Sequence, residues 1–306
     1  MTKTPRLVLG TAQLGLAYGI ANYTGMPEEA DAVALIQAAV ASGVITIDTA
    51  RAYGDAERRI GQALRGMPHV TVVTKLDPLA QIPPAANRDI ALTAARNSLA
   101  LSRAALKRDH LDVVLLHRAE HLTQWNGAVW RWLIEEQSRS AIGQLGVSAQ
   151  SPAEVIEALR NPNISYLQLP FNLLDWRWTS SSAIEHLRQR PDVTVDARST
   201  FLQGLLVSNT ARWPNVAAAE SQKLTSRLEK LALETGRRNR ADLCMAFVRA
   251  QDWIDGVVVG CETLEQLQDN LELFRTPPLD KFAMEHVLRD RPHASTDLLD
   301  PARWRR

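Results

Sequence analysis

Residues 111–117 read LDVVLLH, an apolar run from Val113 to Leu116 closed by the ionisable His117. A short apolar, β-branched run of this kind reads as a strand buried on both faces, the condition of strands in a parallel sheet. Immediately before it, Leu99, Leu106 and their alanine-rich neighbours recur at helical spacing. After it comes a second run, IGQLGVS at 142–148, followed by Ser151-Pro152-Ala153-Glu154. That tetrad has the form of a capping box with proline at the first helical position, so a helix opens there.

Carried outward in both directions, the strand-then-helix alternation continues to both ends of the chain. Strands are expected at Leu7–Gly10, Ile45–Thr49, Val70–Lys75, Leu111–His117, Ile142–Ser148, Tyr166–Pro170, Val193–Arg198 and Gly256–Gly260. Each interval leaves room for one crossover helix, the connection that parallel strands require. One such helix spans Glu28 to Ser42, with Val33, Ile36 and Val40 on one face and Gly43 placed for a left-handed cap. Asp55 is a candidate N-cap for the next. With no linker or long repeat in the 306 residues, the expectation is an α/β fold, a (β/α)8 TIM barrel in one domain over 1–306. Two regions exceed the minimal unit. Between the seventh and eighth strands the chain holds enough residues for two helices, split at Gly236 and Arg237, and from Pro277 a Pro-, Asp- and Arg-rich tail carries a last helix.

Composition narrows the class. Lys and Arg number 35 against 34 Asp and Glu, and the only basic runs are Arg237, Arg238, Arg240 and Arg303, Arg305, Arg306, so neither nucleic acid nor a membrane surface is an expected partner. Cys244 and Cys261 lack CxxC spacing, which argues against a disulfide framework or a thiolate metal site. No apolar run approaches the roughly 18 to 20 residues of a membrane span, and MTKTPRLVLG lacks the apolar core of a signal peptide. A cytoplasmic protein is expected. His69, His110, His121, His186, His286 and His293 have no shared setting, and no metal site is expected.

In a parallel barrel the reactive end is where the strands stop and the loops begin. Asp48, Lys75 and His117 end three successive predicted strands, and Tyr53 follows Asp48 in the loop DTARAYGDAE. A phenol beside an ammonium yields and recovers a proton more readily, a carboxylate can hold that ammonium, and an imidazole can orient a carbonyl oxygen. The set suits reduction of a carbonyl with hydride from a nicotinamide.

The segments LGTAQLG at 9–15, IDTARAYGDAERRIGQAL at 47–64, VVTKL at 72–76, LDVVLLH, IGQLGVS, LQLPFNLLD at 167–175, RSTFLQGLL at 198–206 and VVVGCETLEQLQDN at 257–270 stand in the order found in aldo-keto reductases. The chain resembles that superfamily over nearly its whole length, and within it the bacterial members associated with cell-surface polysaccharide gene regions, which hints at sugar-like carbonyls. The resemblance implies a catalytic tetrad of Tyr53, Asp48, Lys75 and His117. It also implies a nicotinamide nucleotide extended across the barrel mouth, near Gly10 and Thr11. Ser148 and Gln168 would hold the carboxamide, and Arg198, Ser199, Phe201 and Gln203 would lie along ring and pyrophosphate. Gly260, Thr263, Gln266 and Asn270 would meet the adenosine end.

Three departures bear on the cofactor. Arg198 stands where the family often has a stacking aromatic, Ala149 replaces the usual Asn, and Gly260 and Gln266 replace the Lys and Arg that bind a 2′-phosphate. The resemblance implies NADP, with NAD left open. Thr263-Leu264-Glu265-Gln266 also has capping-box form, so Gln266 can serve its helix as well as a ligand. Trp125, Trp130, Trp132, Trp176 and Trp178 follow strand ends and suit either core packing or the wall of a pocket. The expected partner is a small-molecule carbonyl compound; its identity, the oligomeric state and the direction of reaction stay open. A barrel that binds nucleotide as a regulator or scaffold is the alternative, which the intact tetrad argues against. A lyase or isomerase barrel would need a phosphate-binding glycine loop or strand-end metal carboxylates, and neither is present.

Overall fold

The structure, a computed structural model, describes residues 4–20, 22, 24–215 and 218–304; Arg305 and Arg306 of the second basic run lie outside them. Its elements alternate in chain order as β1 (Arg6–Gly10), α1 (Glu29–Ala41), β2 (Thr46–Asp48), α2 (Ala56–Ala63), β3 (Thr71–Lys75), α3 (Arg88–Leu106), β4 (Leu111–Leu116), α4 (Ala128–Ser138) and β5 (Ile142–Ser148). There follow α5 (Pro152–Leu159), β6 (Tyr166–Pro170), α6 (Ala183–Arg188), β7 (Thr194–Arg198), α7 (Ala218–Glu234), α8 (Arg240–Arg249), β8 (Gly256–Gly260), α9 (Leu264–Arg275) and α10 (Lys281–Asp290). Neighbouring strands pair in parallel in sequence order, and β8 returns to β1 to close the barrel. The two helices expected before the last strand are α7 and α8, and α10 is the helix of the tail.

Strand alternation sorts the side chains into two sets. Ile47, Val72, Val114, Leu116, Leu145, Val147, Leu167, Leu169, Val195, Ala197, Val257 and Val259 join the helices in the main apolar core. The residues of opposite parity fill the barrel, because a strand sends successive side chains to opposite faces. Val73, Val113, Leu115 and Tyr166 form a separate apolar layer there. Below it, at the N-terminal ends of the strands, Arg6 donates to Asp196 Oδ1 (2.8 Å), to Tyr166 Oη (2.7 Å) and to Thr46 Oγ1 (3.2 Å), and Tyr166 donates to Asp196. Burial pushes the Asp196 carboxyl up to about 6 against the opposing pull of Arg6. On the same parity at the other end stand Asp48, Lys75, Gln168 and Arg198.

Three expectations shift in detail. Ile45, Thr49, Val70, His117 and Val193 fall just outside the strands, and Arg6 falls inside β1. The buried face of α1 is Ala32, Leu35, Ile36 and Ala39, with Val33 and Val40 at its half-buried flanks, because alanines allow close approach to the barrel. Gly43 does adopt the left-handed φ of 92° that ends this helix. Asp55 occupies the N-cap position of α2, yet its side chain accepts no helix N–H and instead faces Arg58 at 3.5 Å.

Candidate active site

The end of β2 aligns Asp48 with Gly10 of β1 and Val73 of β3, and β3 ends at Lys75 opposite Leu115 of β4. This register brings two charges together in the dry interior. Lys75 Nζ donates to Asp48 Oδ1 at 2.6 Å and to the Thr49 carbonyl at 2.8 Å. Gln168 donates to the same Asp48 oxygen at 2.7 Å. A buried ion pair needs further hydrogen bonds to offset its desolvation, and here the Thr49 carbonyl and the Gln168 amide supply two.

Tyr53 lies above this pair. Lys75 Nζ is 5.1 Å from the centre of the phenol ring, and the His117 imidazole meets that ring edge-on with centroids 6.1 Å apart. The loop that carries Tyr53 is fixed from two sides. Arg51 and Thr74 both bond the buried Glu57 carboxylate, which ties the loop and α2 to the outer face of β3. Gly15 packs so closely that a Cβ there would fall 1.9 Å from the Tyr53 carbonyl oxygen.

His117 follows β4 directly, and burial, with Lys75 and Arg198 adding like charge, pushes its imidazole down to about 3. It is therefore neutral near pH 7 and has one N–H to donate; its Nδ1 is buried without a hydrogen-bond partner. Tyr18, from the loop after β1, lines the mouth, and burial followed by the neighbouring Tyr53 raises its pKa. It is the aromatic residue that sequence reading passed over, because it lies in a loop between strand and helix with no pattern of its own.

A cleft of about 1320 Å³ opens above these groups. It is walled by the loops after β1, β4 and β7, by Leu299–Ala302 of the tail, and by Gln150, Ser151 and Glu154 at the start of α5. Among the described residues no cluster of His, Cys, Asp and Glu could hold a metal ion, and no helix is long and apolar enough to cross a membrane. The model of the aldo/keto reductase family matches residues 6–287. The chain belongs to that family. Membership indicates an oxidoreductase, and the family generally uses nicotinamide cofactors to act on small carbonyl compounds.

Two solved aldo-keto reductases share the fold. AKR11C1 from Bacillus halodurans, in its holo form, has a TM-score of 0.74 at 19% identity, covering 98% of this chain and 100% of its own. The glycerol dehydrogenase AKR11B4 from Gluconobacter oxydans has a TM-score of 0.71 at 22% identity, covering 97% and 94%. At these identities the likeness speaks for the fold. No curated protein sequence matches the chain significantly.

Of the residues that family likeness assigns to a nucleotide, Gly10, Thr11, Ser148, Arg198, Ser199, Phe201, Gln203, Gly260, Gln266 and Asn270 line the one cleft, together with Asp48, Tyr53 and His117. The lining runs without a break from the strand ends to α9, room enough for an extended dinucleotide. Thr200, also on its wall, has a buried hydroxyl without a partner. Other expected residues are engaged elsewhere. Gln168 and Lys75 lie beneath the cleft wall, and Gln168 Nε2 is committed to Asp48 while its Oε1 is unpartnered. Thr263 is the N-cap of α9, accepting from Gln266 N at 3.2 Å, and Gln266 Oε1 accepts from Glu262 N at 2.8 Å. This leaves Gln266 one free amide group and keeps Thr263 off the cleft wall. Thr11 lends its hydroxyl to the Asp48 carbonyl at 2.8 Å.

Nor do the tryptophans reach this cleft. Trp125, Trp130, Trp132 and Trp178 are buried in the apolar core, and Trp176 donates to the Ala294 carbonyl at 3.0 Å, so packing accounts for all of them. The basic residues before α8 divide likewise. Arg237 is tied to the Pro277 and Pro278 carbonyls and Arg240 to that of Ser208, whereas Arg238 lines the cleft.

Proposed function

We propose that the protein reduces an aldehyde or ketone to the corresponding alcohol with a reduced nicotinamide nucleotide, Tyr53 delivering the proton to the carbonyl oxygen. The observation that carries this reading is the buried Lys75–Asp48 pair set under the Tyr53 ring, with a neutral imidazole at the ring's edge. A bound nicotinamide supplies the hydride that the side chains cannot. The remaining work falls to the chain itself. His117 donates its N–H to the carbonyl oxygen, which orients the substrate and withdraws electron density from the carbon. Tyr53 gives its proton to that oxygen, and the Lys75 ammonium faces the negative charge left on the phenol. Asp48 and the Thr49 carbonyl keep the ammonium charged and in place. The same groups serve the reverse oxidation.

The acidic wall near α9 bears on the choice of nucleotide. Glu262, Asp269 and Glu272 line that end, where Arg238 is the cation that joins them. Resemblance alone implies NADP, but a 2′-phosphate needs cationic partners, and the charge there puts NADH ahead of NADPH. For the carbonyl compound, a wall of Arg118, Glu120, Gln150, Glu154 and Arg177 suits a polar, sugar-like molecule; one neighbour of the same fold is a glycerol dehydrogenase.

Tryptophan-fluorescence titration with NADH and NADPH, followed by turnover of an aromatic aldehyde, tests the reading. Saturable binding with turnover lost in Tyr53→Phe supports it. Absence of binding to either nucleotide sinks it, and binding without turnover of any aldehyde or ketone returns the chain to a regulatory role.

A further inference from the structure

Glu57, in the first turn of α2, is wholly buried and lies off the cleft wall. Its carboxylate reaches towards both members of the proton-transfer pair. Thr74 donates its hydroxyl to Oε1 at 2.7 Å, and Thr74 is the residue before Lys75 on β3. The Arg51 guanidinium donates to Oε2, and Arg51 stands two residues before Tyr53. The Arg51 N–H also donates to the Lys75 carbonyl at 3.0 Å, so the bonds close a ring through Arg51, Lys75, Thr74 and Glu57. On the far side of Tyr53, the N–H of Ala56, the first residue of α2, donates to the Tyr53 carbonyl at 3.0 Å. The phenol-bearing residue is thus held between Arg51 and the start of α2, and one carboxylate joins both points to the strand of Lys75.

A buried charge is costly, and apolar side chains can brace a helix against a strand as well as an ion pair can. What the ion pair adds is direction, because carboxylate and guanidinium meet in a defined planar geometry. We propose that Glu57 is a positioning residue for proton transfer, setting the 5.1 Å that separates the Tyr53 ring from the Lys75 ammonium. The proposal rests on the reductase reading for that role. Glu57 touches no reactant; it acts through Arg51 on the phenol and through Thr74 on the ammonium. Loosening either arm lets the phenol drift from the charge that faces it, while the residues that line the cleft keep their places.

The test compares wild type with Glu57→Gln, Thr74→Val, Thr74→Ser and the double variant Arg51→Met/Glu57→Gln, each at a temperature where urea titration shows it folded. Glutamine keeps an oxygen for Thr74 but turns an amide towards the Arg51 donors, so only that arm is lost. The double variant removes the unmatched cation as well, which restores stability without restoring the tie. Nucleotide Kd and aldehyde KM should stay within about twofold of wild type, while kcat falls roughly 10- to 100-fold in Glu57→Gln, Thr74→Val and the double variant and recovers in Thr74→Ser. In protein isotope-labelled at tyrosine Cζ, the Tyr53 resonance, identified by its loss in Tyr53→Phe, should move in Glu57→Gln while that of Tyr166 holds. A kcat that returns to the wild-type value in the double variant along with its stability overturns the proposal, because the carboxylate would then serve the fold alone. An unmoved Tyr53 resonance in Glu57→Gln overturns it too, as does nucleotide affinity lost in step with kcat. Failure of the reductase reading is seen separately, as wild type that binds no nucleotide or turns over no aldehyde, while the resonance still reports on the brace.

Discussion

Lys75 Nζ lies 2.6 Å from Asp48 Oδ1 with both side chains almost wholly withdrawn from water. Removing either partner leaves the other charge buried and unpaired, at a cost of roughly 3 to 5 kcal/mol. Lys75→Met is therefore expected to lower the urea midpoint markedly and to abolish turnover. A midpoint equal to that of wild type would show that water reaches the pair.

The imidazole of His117, held down at about 3, does not gain a proton in the range where free histidine does. The pH profile of kcat/KM should show no inflection near 6.5 in wild type, and His117→Asn should keep the shape of the profile while lowering its height. An acid limb at 6.5 that vanishes in His117→Asn would contradict the neutral, buried imidazole.

Gly15→Ala is expected to cut kcat about 100-fold, because a Cβ placed 1.9 Å from the Tyr53 carbonyl must push the phenol-bearing loop by an ångström or so. Comparable kcat values for the two proteins would mean that the loop yields without moving Tyr53.

Asp196 titrates at about 6 in the fold against an ordinary value of 3.8, so the folded protein holds a proton that the unfolded chain has lost between these values. Its contribution is fully present below pH 3.8 and is lost as pH rises through 6. Across that window wild type should lose about 3 kcal/mol relative to Asp196→Asn. His117 and His121, both titrating below the usual imidazole range, act in the opposite sense but equally in the two proteins, so the difference in their denaturation curves isolates Asp196. Parallel pH dependences would refute the assignment.

Thr263→Val should lower stability by about 1 kcal/mol through loss of the cap on α9. An unaltered unfolding midpoint would free this hydroxyl for another role.

The barrel was legible in the sequence because each strand is a run of β-branched and aliphatic residues whose helices carry their own punctuation. Asp48 and Lys75 could be placed at the mouth because strand ends and barrel loops follow from that pattern, and Ser151 could be read as a cap from its neighbours. Other features depend on through-space geometry. Thr263 suited two roles until its cap hydrogen bond was seen, whereas Gln266 both serves its helix and lines the cleft. The tryptophans follow strand ends, yet which way each ring turns is decided by packing against helices far away in the chain. Asp55 failed as a side-chain cap because its backbone is already helical (φ −82°, ψ −1°) and not in the extended geometry of a cap, which position alone does not reveal.

The network of Arg6, Tyr166 and Asp196 stoppers the barrel at its lower end. With the layer of Val73, Val113, Leu115 and Tyr166 filling the middle, the barrel is a solid pedestal and not a conduit, so the cleft at its upper mouth rests on a floor that cannot give way beneath Asp48 and Lys75.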